Sequence, residues 1–307
     1  MRPITVTEYS RNGWVNSATG GTIAREYCEQ LERGAILQLP PSVLGLSEED
    51  RRFLCNIAQT ASVKNVSYQP AIGRLRGYIG SKVEAAKLEQ LLSVYATSMQ
   101  KVAEELLSPY ARGLQVDLTS FRPIEECGRR LETRLRNDLI HIDAFPNRPA
   151  RNRRILRFFS NVHPSKPRVW KTSETFEELA NRMARAAGLD GYAKAASRLL
   201  PRFHLRALAI LASIGVPIRY RSPYDRFMLG FHDHLKMNAG FQANCPTEVI
   251  EFPAGSTWIA FTDAVSHAVL SGQYALEQTF FVPINSMTLP HKSPLRILEA
   301  MCHSRLV

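Results

Sequence analysis

The stretch HIDAFPNRPARNRRILRFFSN, His141 to Asn161, decides how the rest of the chain is read. It opens on a histidine and an aspartate two residues apart; five arginines and two prolines follow before the apolar run closes. LIHID reads as a strand, where residues i and i+2 point to one face, so His141 and Asp143 project together. Two ligands of one metal must do this. The plainer alternative is a strand-end histidine bonded to a nearby carboxylate, beside a basic loop that is only solvated surface.

A third ligand has to come from another strand, and EFPAGSTWIAFTDAVSHAVLSGQYALEQTFFVP (251–283) offers one. A Pro-x-Gly turn feeds an apolar strand, a short loop follows, and His267 opens the next strand 126 residues after His141. Two histidines and one carboxylate form the facial triad of non-haem Fe(II) oxygenases, which leaves coordination positions for a co-substrate and O2. His232 and His234, flanking Asp233, are a rival ligand pair on one face. They lack the Pro-x-Gly strand context, and hydrogen bonding or substrate contact is the commoner fate of such residues. His163 and His204 read as structural.

Around these segments the chain falls into two regimes. Up to about Arg122 helix signals dominate: residues 22–33, then Ser47 with Asp50 and Ser81 with Glu84 as capping patterns. GAILQL (34–39) reads as a buried strand stopped by Pro40-Pro41. Beyond Arg122 come short runs rich in β-branched and aromatic residues: RILRFFSNV, VPIRYRS, TEVIEF, TWIAFTD and EQTFFVPI. A helical insertion is expected from about Thr172 to Leu211, with Ser173, Glu174 and Glu177 at its start. Many short strands without β-α-β alternation predict an antiparallel sandwich or jelly roll. The expected division is a mainly helical part, 1–122, packed on a mainly β core, 123–307.

With 307 residues the chain can bury a large core. Its apolar fraction of 45% and charged fraction of 22% are those of a globular protein. The excess is in charge: 39 Lys+Arg against 28 Asp+Glu give +11, a field that attracts polyanions. Five scattered cysteines without a CxxC suit reduced thiols better than disulfides or zinc. Neither a signal-peptide core nor a spanning apolar run is present, so a soluble cytoplasmic protein is expected. No GxGxxG or P-loop supports nucleotide binding by those devices.

At this point HIDAFPNRPARNRRILRFFSNVHP (141–164), FPAGSTWIAFTDAVSHAVLSGQYALEQTFFVP (252–283) and YDRFMLGFHDHLKMNAGFQ (224–242) resemble the Kdo hydroxylase family. Its members are Fe(II)/2-oxoglutarate-dependent oxygenases acting on 3-deoxy-D-manno-oct-2-ulosonic acid (Kdo) in Gram-negative lipopolysaccharide. The resemblance implies a double-stranded β-helix core with flanking helices, and it places the iron ligands on His141, Asp143 and His267. It further implies hydroxylation at carbon 3 of a Kdo residue of Kdo-lipid A, with 2-oxoglutarate and O2 as co-substrates. Peripheral contact with the cytoplasmic face of the inner membrane is then expected.

One departure stands out. Many 2-oxoglutarate enzymes hold the co-substrate's far carboxylate with an arginine about ten residues past the distal histidine. Here that neighbourhood is Gln273, Tyr274, Glu277, Gln278 and Thr279. A charge inside an apolar strand is costly unless paired, so Arg157 in RRILRFFSN is the candidate cation if it faces inward. Asn161 shares its face, Arg154 competes if the register shifts by one, and Gln278 completes the co-substrate set. Arg148, Arg151 and Arg153 on the loop, with Arg221 and Lys236, are candidates for an anionic Kdo-containing glycolipid. Two other functions remain open: an oxygenase of this fold acting on nucleic acid, and a non-enzymatic jelly-roll binding module. Nucleic acid is not expected, because aromatic residues do not interleave with the basic clusters.

Overall fold

RRILRFFSN, the apolar end of the deciding stretch, forms a strand buried at every residue after the first. A strand with no polar face must be covered on both sides. The computed structural model of the chain, which describes residues 4–5, 20–39, 44–57, 65–197 and 221–307, shows how that is done.

The strands in chain order are β1 (Ile4–Thr5), β2 (Leu37–Leu39), β3 (Val66–Gln69), β4 (Arg74–Arg76), β5 (Gln115–Arg122), β6 (Arg153–Asn161), β7 (Arg168–Thr175), β8 (Glu248–Phe252), β9 (Thr257–Phe261), β10 (Val265–Ser271) and β11 (Ala275–Pro283). The large sheet runs β1-β2-β9-β6-β11-β5-β3-β4 and the small one β10-β7-β8. All pairings are antiparallel except β1 with β2. The helices are α1 (Gly20–Glu32), α2 (Glu48–Asn56), α3 (Lys82–Leu106), α4 (Phe176–Met183), α5 (Leu189–Ser197), α6 (Pro223–Met237), α7 (Ala239–Asn244) and α8 (Pro294–Cys302). This is a mainly β jelly roll, a double-stranded β-helix with helices packed around it.

The alternation along β6 sorts its side chains into two compartments. Phe158 and Ser160 face the helical layer, where Tyr95 of α3 shares a 3.0 Å hydrogen bond with Ser160. Arg157 and Phe159 face the small sheet. There Phe159 meets Trp170 edge-on at 4.8 Å, in a cluster with Trp258, Phe252, Ile250, Val265 and Val269. Strands β1 to β5 come from the first 122 residues and extend the large sheet beyond the core, while α1 and α3 lie on its outer face.

Two segments differ from expectation. LIHID is not a strand: His141 makes a single bridge to His267, and the next amide in line, that of Asp143, bonds Thr262 O and not Val265, so no ladder follows. The helical insertion begins later than Thr172. RVWKTSET alternates in burial and completes β7, and Thr175, not Ser173, caps α4 through a reciprocal box with Glu178. Residues 198–211, the VPIRYRS segment up to residue 220, His204 and Pro40-Pro41 lie outside the described residues. The caps at Ser47 and Ser81 stand where the sequence puts them, that at Ser81 as a full reciprocal box with Glu84, and the five cysteines are free.

Glu32, at the end of α1, is the buried tie between the two ends of the chain. Its carboxylate accepts from Tyr110 Oη (2.7 Å), Thr288 N (2.9 Å), Thr288 Oγ1 (3.0 Å) and Leu289 N (2.5 Å). Glu32→Ala strands several buried donors, and is expected to cost about 3 kcal/mol. Urea unfolding should show a lower midpoint with an unchanged slope.

Candidate metal centre and its charged surroundings

The bridge between His141 and His267 is reciprocal. His141 N donates to His267 O (3.0 Å) and His267 N to His141 O (2.9 Å). A pair bound this way holds its two side chains on one side of the sheet, and the rings lie 4.8 Å apart. Asp143 N then bonds Thr262 O (2.7 Å) in the turn after β9, which keeps the segment extended and points Asp143 the same way. The donor atoms of His141, Asp143 and His267 all lie within 4.8 Å of one another, and all three residues are buried.

The histidines are prepared as ligands. Nδ1 of His141 bonds the carbonyl of Leu139 (2.7 Å) and Nδ1 of His267 that of Val265 (2.9 Å). A carbonyl can only accept, so each Nδ1 carries the proton and each Nε2 presents its lone pair. Burial lowers both histidine pKa values, that of His141 well below its ordinary range, helped by His267. Burial raises Asp143, but Arg157 and the two histidines outweigh it and hold the carboxyl below its usual range. Its Oδ1 lies 3.7 Å from His141 Nε2, while Oδ2 accepts from Arg157 (2.8 Å). Two neutral imidazoles and one carboxylate fit a divalent iron better than a soft or alkaline-earth ion.

Helix α6 splints this segment from outside the sheet. Asp225 Oδ1 accepts from Arg151 N (2.8 Å), His232 Nδ1 bonds Ile142 O (2.7 Å), and Lys236 Nζ donates to Arg134 O (3.0 Å). The rival pair therefore splits. On a helix, i and i+2 diverge, so His232 meets His141 edge-on at 4.9 Å whereas His234 stacks on Phe231.

The chamber beside the triad is charged. Arg157 pairs with Asp143 and Glu277, Arg122 pairs with Glu277 and Glu126 (3.4 Å), and Arg129 also reaches Glu126 (3.4 Å). Arg168 is fully buried; its side chain donates to Gly272 O (3.0 Å), and burial followed by Arg122 pushes it down to about 10. Gly272 is needed there (φ 132), since a Cβ would fall 2.6 Å from Arg168 Cγ. Burial would raise Glu277, but Arg122 and Arg157 keep its carboxyl below the usual range. Nε of Arg157 and Nε of Arg168 are buried without an acceptor. Four guanidinium groups face three carboxylates, and a divalent cation would add to that excess.

Other candidates lie elsewhere. Arg154 is on the opposite face of β6, buried against Asp263 (2.9 Å) and over the Phe261 ring (4.2 Å). Gln278 also faces away, accepting from Thr119 (2.6 Å), because alternation along β11 gives the inward position to Glu277. Asn161 shares Arg157's face, yet its amide clasps Lys166 O (2.9 Å) and Phe252 O (3.1 Å). Arg153 locks its own loop through Pro149 O (2.9 Å), Ala150 O (3.1 Å) and Gln115 (2.7 Å). Arg148 lies over Phe145 (4.2 Å), paired with Asp117 and pushed down to about 10, chiefly by burial. Arg151 turns the loop in a left-handed conformation (φ 56), Arg221 donates to Pro146 O, and Lys236 is buried, not on an open rim. Arg122 and Arg168 are not among the residues picked out from the sequence. The signal for Arg122 was the alternation of DLTSFR, which turns it inward beside the +10 position.

A jelly roll with two Nε2 donors and a carboxylate at its mouth defines a non-haem Fe(II)- and 2-oxoglutarate-dependent oxygenase. The chain belongs to the 3-deoxy-D-manno-oct-2-ulosonic acid (Kdo) hydroxylase family, whose profile matches residues 15–305. It is similar to the crystal structure of the Kdo hydroxylase KdoO, a non-haem Fe(II) α-ketoglutarate-dependent dioxygenase, in complex with α-ketoglutarate and Fe(III). Identity is 35% over 100% of this chain and 98% of that one, with a TM-score of 0.82. The apo form of KdoO (36%, 0.82) and its complex with succinate and Fe(III) (35%, 0.81) match over the same shares. No curated protein sequence matches the chain significantly.

The lowered histidine pKa values set a pH dependence for the metal-free protein. Between the folded values and 6.5 the unfolded state binds more protons, so stability falls as pH drops below about 6.5. Thermal melts of metal-free protein from pH 7.5 to 5.5 should show this slope, reduced in His141→Gln.

Proposed function

We propose that the protein hydroxylates carbon 3 of a Kdo residue in Kdo-lipid A, at the cytoplasmic face of the inner membrane. The observation that carries this is the convergence of His141, Asp143 and His267 beside a buried, cation-rich chamber, in a chain of the Kdo hydroxylase family.

Bound Fe(II), with 2-oxoglutarate and O2, supplies the oxidising chemistry that inserts one oxygen atom into a C–H bond. The protein's residues do the positioning. His141, His267 and Asp143 would hold the iron, each kept in place by a second bond from Leu139, Val265 or Arg157. Arg157 and Arg122, on either side of Glu277, would take the far carboxylate of 2-oxoglutarate, and the unspent Nε donors of Arg157 and Arg168 mark where acceptor oxygens are wanted. Glu277 stands where many relatives in this class place an arginine, and the arginines of the neighbouring strands replace it. Trp170, stacked on His267 (4.9 Å, 19°), and Phe159 close the chamber to water on the small-sheet side. No side chain has to act as general acid or base.

Arg148 at the mouth suits an anionic glycolipid rather than nucleic acid, since the Phe145 ring beside it is covered by the guanidinium and not open to a stacking base. Membrane contact has a separate basis. Ile72, Ile79 and Val83 are 60%, 62% and 81% exposed, beside exposed Arg74, Arg76 and Lys82, a mixture that favours an anionic bilayer surface. No described helix is long and apolar enough to cross a membrane.

Mass spectrometry of lipopolysaccharide Kdo after expression tests the assignment. One added oxygen is expected with the native chain and none with His141→Ala; an unmodified sugar alongside active 2-oxoglutarate turnover would refute the substrate. Arg157→Lys keeps the charge but loses the planar fork. Steady-state assays should show KM for 2-oxoglutarate raised about tenfold or more.

A further inference from the structure

The loop after Asp143 has a second side. Phe145 belongs to the chamber, under Arg148 and 6.0 Å from Arg157. Pro146, Asn147 and Pro149 instead line a different cavity, of about 220 Å³, whose other wall is Arg221 and Arg226 at the start of α6. Among the described residues the lining holds two guanidinium groups and a carboxamide, and no carboxylate.

Nearby acids are already committed. Asp225 is buried and accepts from Ser222 N, Ser222 Oγ and Arg151 N. Asp117 is paired with Arg148. Arg221 is steadied by the Pro146 carbonyl, and the Arg226 guanidinium, unlike its backbone amide, which bonds Ser222 O, has no hydrogen bond or ion pair among the described residues. The loop wall is fixed too, since Arg153 ties Pro149 and Ala150 by their carbonyls. Two cations facing one fixed cavity repel each other, and an anion between them removes that cost. Planar forks fit phosphate oxygens in a bidentate manner, and two forks with a carboxamide offer more donors than a carboxylate can use.

We infer that this cavity is a phosphate subsite, which receives a phosphate monoester carried on the sugar beside the Kdo being hydroxylated. This rests on the glycolipid reading above. The spacing agrees: only Ala144 and Phe145 separate Asp143 from Pro146, so their Cα atoms lie at most about 11 Å apart. A substrate sugar at the triad would bring the next unit of its chain to the cavity.

The test compares two acceptors in the iron-loaded enzyme with 2-oxoglutarate: Kdo-lipid A with its phosphates, and the same glycolipid after phosphatase treatment. The native chain should prefer the phosphorylated acceptor by about tenfold in kcat/KM, with inorganic phosphate as a competitive inhibitor. Arg226→Gln, on the exposed side of α6, should abolish both the preference and the inhibition. A native chain without preference, or a variant that retains it, overturns the subsite. Should neither acceptor be hydroxylated, the glycolipid reading fails by itself. Calorimetric titration with inorganic phosphate then decides the cavity: binding lost in Arg226→Gln supports it, and equal binding or none in both proteins overturns it.

Discussion

The centre depends on one backbone pair. His141 and His267 exchange two hydrogen bonds in an isolated bridge that no neighbouring pair extends into a ladder. A longer ladder would have held the HxD segment as an ordinary strand, with its polar groups spent on both edges. Because the ladder is one pair long, Asp143 is free to turn its amide to Thr262, and the loop beyond can leave the sheet. What the sheet gives up, α6 supplies. Its stripe of Asp225, His232 and Lys236 reaches Arg151, Ile142 and Arg134, so the ligand-bearing segment is clamped between a sheet edge and a helix. Packing of α6 thereby bears directly on ligand geometry.

Buried charge follows the same logic. A buried ion pair adds little to stability over a well-packed apolar pair, and breaking one costs several kcal/mol. Arg157, Arg122, Arg168, Glu277 and Glu126 would be a poor way to fill a core. Under the proposed function they form a preorganised field: Arg157 fixes one oxygen of Asp143, the other would be left to a metal, and its neighbours would receive a dianion. Arg154 with Asp263 is the contrasting case. It lies on the helical side of the same strand, held through Nε by one carboxylate and laid over the face of Phe261, away from the triad.

The sequence showed the periodic and the contiguous features. RRILRFFSN was legible as a strand though not as one covered on both faces, and the caps at Ser47 and Ser81 bond locally, so they were legible without tertiary context. The convergence of His141, Asp143 and His267 was legible through the i, i+2 rule, although the strand assumed for it shrank to one bridge. What stayed hidden was which side of a strand a polar residue takes when both sides are buried. Glu277 and Gln278 are adjacent and both polar, and only the pairing of β11 with β6 and β5 turns Glu277 toward the arginines. Helix or strand for HDH was equally unreadable in isolation, and the helix separates two histidines that a strand would have joined.

The same helix spans both sites. Arg221 just before its N-cap and Arg226 in its first turn face the far side of the loop after Asp143, and about two turns on from Arg226 His232 grips the peptide between His141 and Asp143. A displacement of α6 would therefore move a phosphate-sized cavity and the ligand segment together. Rigidity along a helix is set by its hydrogen-bonded backbone, and α6 begins with a reciprocal box between Ser222 and Asp225 that leaves little fraying. Asp225 is also the acceptor for Arg151 N, so the same carboxylate caps the helix and anchors the loop. One buried acid thus couples the position of the outer basic cavity to that of the triad, and substrate recognition and metal geometry share a single mechanical support.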